Sequence, residues 1–425
     1  MIHRISGFLK HDRHLVVILL LVTLLVVGSS NAHAYTVEWA VQGRGESILK
    51  NPQIAVDSLG NIYVSGSYGT ERYLLPGSSG KVTSNVEKTN ETTLTNKTTQ
   101  DYLSKYNSNG ELIWVKSSDD SFEKIAVDEA GNLYAMGLFI IKEHQKRFST
   151  SVDRVYGLLL VKFSTNGNRV WEKRVVSDGI PGNYSSGLTD SEFGDLNGTK
   201  FVVDGMGNLY VTGHFYGGAI FGKDEPNETN FDLYSSAYVA KYNADGELVW
   251  VKTRNNNIDT IAVDDTGSYY LVHQSARRQF FSRRRLHLDK YTANGKRIWS
   301  KQVLIPACDN ECTRRNGHFI GYPGIHVSKI LVDGSESVYM AGYFFNSVTF
   351  EPGEMGETTL LNKYAEGSYY IAKYTAVDGT FIRVTRPANH HVIKTGFDID
   401  NAGNVFFSGV TDLHGAVTPR SGRSQ

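Results

Sequence analysis

The chain has 425 residues, with 44 basic and 44 acidic side chains, so its formal net charge is zero. That balance argues against a dedicated nucleic-acid binder, which carries a basic surplus. Hydrophobic residues at 40%, aromatics at 12%, and 42 glycines against 9 prolines exclude a disordered chain. They describe strands joined by glycine turns.

The first element is an expected leader over residues 1–34. Lys10 and Arg13 precede an apolar run from Leu15 to Val27, and Ala32-His33-Ala34 has the small-x-small form that a signal peptidase cuts. The run falls short of the roughly 20 residues needed to span a bilayer as a helix, so no stable membrane span is expected after cleavage. Loss of Arg4, Lys10, Arg13 and Asp12 leaves 41 of the 44 basic and 43 of the 44 acidic side chains. The mature chain stays near neutral.

Two phrases then recur to the end of the chain. The first reads Ile54-Ala-Val-Asp57-Ser-Leu-Gly60-Asn-Ile-Tyr-Val-Ser-Gly66, and its aspartate returns at Asp128, Asp204, Asp264, Asp333 and Asp400. The second reads Lys105-Tyr-Asn-Ser-Asn-Gly-Glu-Leu-Ile-Trp114, with counterparts ending at Trp171, Trp250 and Trp299. Self-similarity on this scale marks a repeat architecture, and spacings of 60 to 76 residues exceed the roughly 40–50 usual for propeller blades. The excess must lie in connections.

Each unit reads as four antiparallel strands. The aspartate and glycine of Asp-x-x-Gly make a tight turn between strands a and b, by side-chain acceptance of backbone N–H groups and by positive φ. A second glycine turn joins strand c to strand d, which carries the tryptophan. Four such strands in series are the sequence form of a propeller blade. The expected fold is all-β: a single β-propeller domain over residues 35–425, with six four-stranded blades. Five blades are complete; the sixth has strands a and b only and is expected to be closed by Val37–Gln42, a spare strand d that carries Trp39. Closure would remove exposed edges. The tryptophans follow the scaffold period, so they are read as packing between neighbouring repeats. A contact between Asp57 and Lys105 within about 6 Å is expected across strand b, and likewise in the other units.

Asp-x-x-Gly-Asn-x-Tyr-Val-x-Gly, followed by Ala237-Tyr-Val-Ala-Lys-Tyr-Asn-x-Asp-Gly-Glu-Leu-Val-Trp250, resembles the bacterial β-propeller repeat family known as SBBP. The resemblance covers essentially all of residues 35–425 and implies a secreted, periplasmic or cell-surface protein. Departures occur at Asp264-Asp-Thr-Gly-Ser268, at Asp333-Gly-Ser-Glu-Ser337, and at Arg383 in place of the tryptophan. The family carries no common catalytic motif, so the resemblance implies no activity.

Length variation falls in the b–c connections (69–100, 216–236, 346–368) and the d–a connections (177–199, 306–327), which share one end of the blades. Binding residues concentrate in variable loops on rigid scaffolds. Arg277, Arg278, Arg283, Arg284 and Arg285 crowd the fourth b–c connection and are weak ligand-binding candidates, since the guanidinium fork suits carboxylate, sulfate or phosphate. Cys308 and Cys312 are expected to form a small-loop disulfide if the chain is exported. Asn90, Asn96, Asn183, Asn197 and Asn227 begin glycosylation sequons. No catalytic, metal or cofactor motif stands out. The reading favours a non-catalytic binding or adhesion module with a protein or glycan ligand. Its rival is an exported propeller lyase or hydrolase acting on polysaccharide, with His318, His326, Tyr322, His390 and His391 as base candidates.

Overall fold

A computed structural model describes residues 17–18, 41–42, 50–69, 99–118, 120–145, 152–177, 197–274, 284–306, 314–315, 318–319, 324–334, 336–362, 367–386, 392–399 and 405–411. Every regular element among them is a β-strand, and no helix there is long and apolar enough to cross a membrane. The chain divides into two compact units. The first holds Met1–Leu196, Gly217–Asp232 and Asp245–Glu247; the second holds Asn197–Tyr216, Leu233–Ala244 and Leu248–Gln425.

In the first unit, β1 (Val17–Ile18) pairs antiparallel with β2 (Val41–Gln42). The strand expected to complete the sixth repeat is therefore engaged with the expected leader; Trp39 lies outside the described residues. Next come two four-stranded antiparallel meanders. One is β3 (Lys50–Val56), β4 (Ile62–Gly69), β5 (Thr99–Tyr106) and β6 (Leu112–Ser118); the other is β7 (Ser121–Val127), β8 (Leu133–Gln145), β9 (Val152–Phe163) and β10 (Arg169–Ser177). Their first strands, β3 and β7, lie side by side.

The third meander is β11 (Asn197–Val203), β12 (Leu209–Phe221), β13 (Thr229–Tyr242) and β14 (Leu248–Arg254). The fourth, in the second unit, is β15 (Ile258–Val263), β16 (Tyr269–Gln274), β17 (Arg284–Tyr291) and β18 (Arg297–Ile305). After the short ladder of β19 (Arg314–Arg315) and β20 (His318–Phe319) comes β21 (Gly324–Asp333), β22 (Ser337–Phe345), β23 (Ser347–Phe350), β24 (Thr358–Leu361), β25 (Ser368–Thr375) and β26 (Phe381–Thr385). The fifth meander runs β21-β22-β25-β26, and β27 (Val392–Ile399) pairs with β28 (Val405–Thr411) as a sixth, two-stranded repeat. In this unit too the first strands stand in series: β11 beside β15, β15 beside β21, and β21 beside β27.

The recurring phrases explain how neighbouring meanders join. Asp57 Oδ1 accepts the N–H groups of Leu59 and Asn61 at 3.0 and 2.8 Å, while Gly60 takes φ +77°. The hydroxyl of Tyr63 donates to the next turn, at Gly131 O, over 2.9 Å. Trp114 Nε1 donates to Thr165 O at 3.0 Å, and its ring meets that of Tyr63 edge-on at 6.2 Å. The ring also covers Gly167, the turn glycine of the next meander. In the second unit, Tyr210 reaches Gly267 O, Trp250 reaches Ala293 O, and Trp299 reaches Ala376 O. Tyrosine and tryptophan are thus staples from one repeat to the next. The Asp264 turn keeps this form despite its altered sequence, with Gly267 at φ +76°; the Asp333 turn places Gly334 left-handed instead.

The expected aspartate–lysine contact is present in the fourth repeat, and Asp57 and Asp204 bear electrostatically on Lys105 and Lys241 in the first and third. An ion pair joins Lys290 Nζ to Asp264 Oδ2 at 3.6 Å. What recurs in all five complete repeats is a lysine over the intervening tyrosine: Lys105 on Tyr63, Lys162 on Tyr134, Lys241 on Tyr210, Lys290 on Tyr270 and Lys373 on Tyr339, at 4.8 to 5.1 Å from the ring centres. The ring intervenes because tyrosine on strand b lies directly between the strands that carry the two charges.

Two connections expected to be elaborate loops are strands. Within the first unit, Ile220 and Ala219 pair with Val176 and Ser177 of β10. Within the second, Phe350 and Thr349 of β23 pair with Val303 and Leu304 of β18. The two hairpin ends share a phrase, Phe221-x3-Glu225-x2-Glu228-Thr229 and Phe350-x3-Glu354-x2-Glu357-Thr358, and the same bonds. Glu228 Oε2 accepts from Asp224 N at 2.8 Å and Glu357 Oε2 from Gly353 N at 2.6 Å; each threonine hydroxyl donates two residues back. The connection at 69–100 lies largely outside the described residues.

The turn glycines under the tryptophans allow a direct check. A Cβ on Gly246 would stand 2.7 Å from Trp171 Cδ2, at φ +82°. Gly246→Ala is expected to lose about 2–4 kcal/mol, from overpacking plus left-handed strain. Gly60→Ala, whose Cβ would meet only Ser108 Cβ at 3.3 Å, should lose about 1 kcal/mol. Urea midpoints of the two variants measure the difference.

Candidate functional site

A buried polar network sits in the second unit, on the fourth meander. Three of its residues break the repeat. The position nine after the turn aspartate is glycine in five repeats (Gly66, Gly137, Gly213, Gly342, Gly409) and His273 in the fourth. Three before the strand c lysine stand Tyr102, Leu159, Tyr238 and Tyr370, but His287 here; one before it stand Ser104, Val161, Ala240 and Ala372, but Asp289 here. His273 and His287 are direct cross-strand partners, and Asp289, two residues along β17, shares the face of His287. The site is therefore a local rewriting of the scaffold.

The side chains interlock. The rings of His273 and His287 stack at 4.9 Å and 5°. His273 Nε2 lies 3.0 Å from Asp289 Oδ2 and 3.0 Å from Arg254 Nη2, at the end of β14. Asp289 is fully buried; its Oδ1 accepts from Ser300 Oγ at 2.6 Å and its Oδ2 from Tyr291 at 2.8 Å. Arg254 Nη1 donates to the Tyr291 hydroxyl at 2.6 Å and its Nη2 stands 3.6 Å from Asp289 Oδ2. The His273 Nδ1 atom is buried without a hydrogen-bond partner. Nine-tenths or more of His273 is shielded from solvent, and His287 is half-buried.

Electrostatics follow from this packing. Burial would raise Asp289, but hydrogen bonds from His273, Ser300 and Tyr291 outweigh it and hold the carboxyl well below the usual range. Burial and the Asp289 charge push the Tyr291 hydroxyl up to about 12. Burial, together with His273, Arg285 and Arg254, lowers His287 against the pull of Asp289. A second carboxyl, Asp259 on β15, moves the other way. Burial raises it, although Gln274 Nε2 donates to it at 3.1 Å and His326, Lys200 and His273 bear on it electrostatically. Two carboxyls in one polar region are thus pushed apart in pKa.

His326, one of the base candidates, belongs to this region. It stacks on Tyr343 at 4.7 Å, and lost hydration lowers its pKa against the pull of Asp259. Of the arginines, Arg285 is exposed and donates to Gln302 Oε1 at 2.9 Å. Arg284 opens β17, but its side chain lies outside the described residues, as do Arg277, Arg278 and Arg283. The same holds for Cys308, Cys312, Tyr322, His390 and His391; His318 lies in β20, with its side chain outside them. No sequence motif points to His273, His287, Asp289 or Arg254. The signal that finds them is an alignment of the repeats against one another.

No protein-family model and no curated protein matches the chain. Among solved structures it is similar to Saccharomyces cerevisiae Sqt1, at 6% identity over 84% of this chain and 92% of that one, with a TM-score of 0.33. It is also similar to a point mutant of Synechocystis apocarotenoid oxygenase, at 11% identity over 71% and 59% with TM-score 0.33, and to Morganella morganii TcdA4, at 9% over 85% and 16% with TM-score 0.25. Likenesses of this order carry no argument about fold or activity.

Proposed function

We propose that this chain is a secreted or cell-surface β-propeller repeat protein of the SBBP type, whose six repeats form a ring that binds a glycan or protein ligand. Support for the ring comes from the six recurrences of the phrase and from the serial arrangement of first strands within each unit. Removal of residues 1–34 would take Val17–Ile18 away from Val41–Gln42, which frees that strand for the sixth repeat. The observation that carries the binding reading is where the scaffold is rewritten. Arg254 ends strand d, His273 and Gln274 end strand b, and Asp259 and His326 begin strands a; all lie toward the variable connections. A glycan array on the chain lacking residues 1–34 tests it. Saturable binding to a defined glycan class, weakened by Asp259→Asn or His326→Ala, is the expected result; no binding to any glycan or surface protein overturns it.

The opposed shifts of Asp259 and Asp289 favour a second reading, an enzyme acting on polysaccharide. Pairs of acids pushed apart in pKa suit acid and base roles. Release of reducing ends or unsaturated products from a polysaccharide panel, lost in Asp259→Asn, would replace the binding reading with this one.

A further inference from the structure

We propose that His273, His287 and Asp289 bind one divalent first-row transition-metal ion on the face of the β16–β17 pair. The three ligand atoms lie within 4.8 Å of one another, the one such group among the described residues. Two imidazoles and a carboxylate that share a sheet face leave further positions open, a set suited to iron, cobalt or zinc. His287-Leu288-Asp289 supplies two ligands from one strand, and His273 faces the first of them directly.

Three features favour a cation here over a scaffold role. First, all three residues depart from the repeat together, in one repeat, and no other repeat needs them to fold its strands. Second, His273 Nε2 and Asp289 Oδ2, at the 3.0 Å of a hydrogen bond, are also near enough for one ion about 2.1 Å from each to take both without a backbone shift. Third, Nε2 faces incompatible partners. A protonated Nε2 serves Asp289 but opposes Arg254, and a bare Nε2 serves Arg254 but opposes Asp289. A metal ion accepts both lone pairs and removes the conflict. The guanidinium of Arg254 stands in for that cation, and it already has another partner in Tyr291. Ser300 fixes Oδ1 of Asp289 and so aims Oδ2 at the site, the outer-shell role that orients metal-bound carboxylates. Stacked rings do not point at one ion, so binding requires His287 to turn out of the stack.

Metal uptake is measured without saccharide, so this inference stands apart from the ligand-binding reading. The full chain is stripped with a chelator, dialysed, and titrated with Zn²⁺ and Co²⁺ by calorimetry and visible absorption. One equivalent per chain is expected at pH 7.5, with at least tenfold weaker binding at pH 5.5, since both imidazoles must be neutral. The NMR signals of the stacked rings should shift on binding. Arg254→Gln should tighten uptake by about tenfold or more, because it removes the competing cation. The triple variant His273→Gly, His287→Tyr, Asp289→Ala restores residues that other repeats carry at these positions, so it should fold and bind nothing. Absence of stoichiometric uptake in both the natural chain and Arg254→Gln overturns the proposal, as does uptake unchanged in the triple variant.

Discussion

Trp114→Ala is expected to cost about 3–5 kcal/mol, the range for deleting a buried aromatic from a core. Trp114 is 9% exposed and does three things at once. It meets Tyr63 edge-on within its own meander, donates to Thr165 O in the next, and lies over Gly167. Removal leaves a cavity at the join and an unpaired carbonyl at the turn. Trp114→Phe should recover the packing in part but not the hydrogen bond, which alone contributes about 0.5–1.5 kcal/mol. Urea denaturation followed by circular dichroism compares the two. A loss below about 1 kcal/mol for the alanine variant would mean that the tryptophans do not join the repeats.

The architecture was legible because its devices are periodic. Asp-x-x-Gly sets a turn, tyrosine and tryptophan reach the next repeat, and each recurs at a fixed offset, so one physical solution is written several times. The grafted hairpins were not legible. Gly222-Lys-Asp-Glu-Pro-Asn-Glu-Thr229 is rich in turn formers and charge, and only the pairing of Ala219 and Ile220 with β10 shows that the segment extends a sheet. The site was hidden for the opposite reason. Its residues lie inside strands at positions the repeat gives to glycine, tyrosine and small residues, and a lone histidine in a strand looks like core. His326 is legible only as a base candidate in the loop after Cys312, and it lies in β21 instead. The arginine run, which drew attention by composition, contributes Arg285 at the margin of the network.

Asp289→Asn is expected to cost about 3–5 kcal/mol at pH 7, since removing one member of a buried ion-pair network strands the charge that remains. The asparagine side chain would offer a single acceptor oxygen to Ser300, Tyr291 and His273, and its amide would face the Arg254 guanidinium donor to donor. The pH dependence has a definite sign. The folded pKa of Asp289 is depressed, so its contribution is complete above the unfolded value of about 3.9 and is lost as pH falls toward the folded value. The part of the stability gap that comes from the ionised carboxylate should therefore be present above about pH 4.5 and narrow below about pH 4. Urea midpoints at about pH 7, 4 and 3, taken with chelator present so that no metal contributes, measure it. A gap that stays constant down to about pH 3 would show that Asp289 is not the ionised centre of the network. The frustration at His273 Nε2, and with it the case for a cation, would then lose its ground.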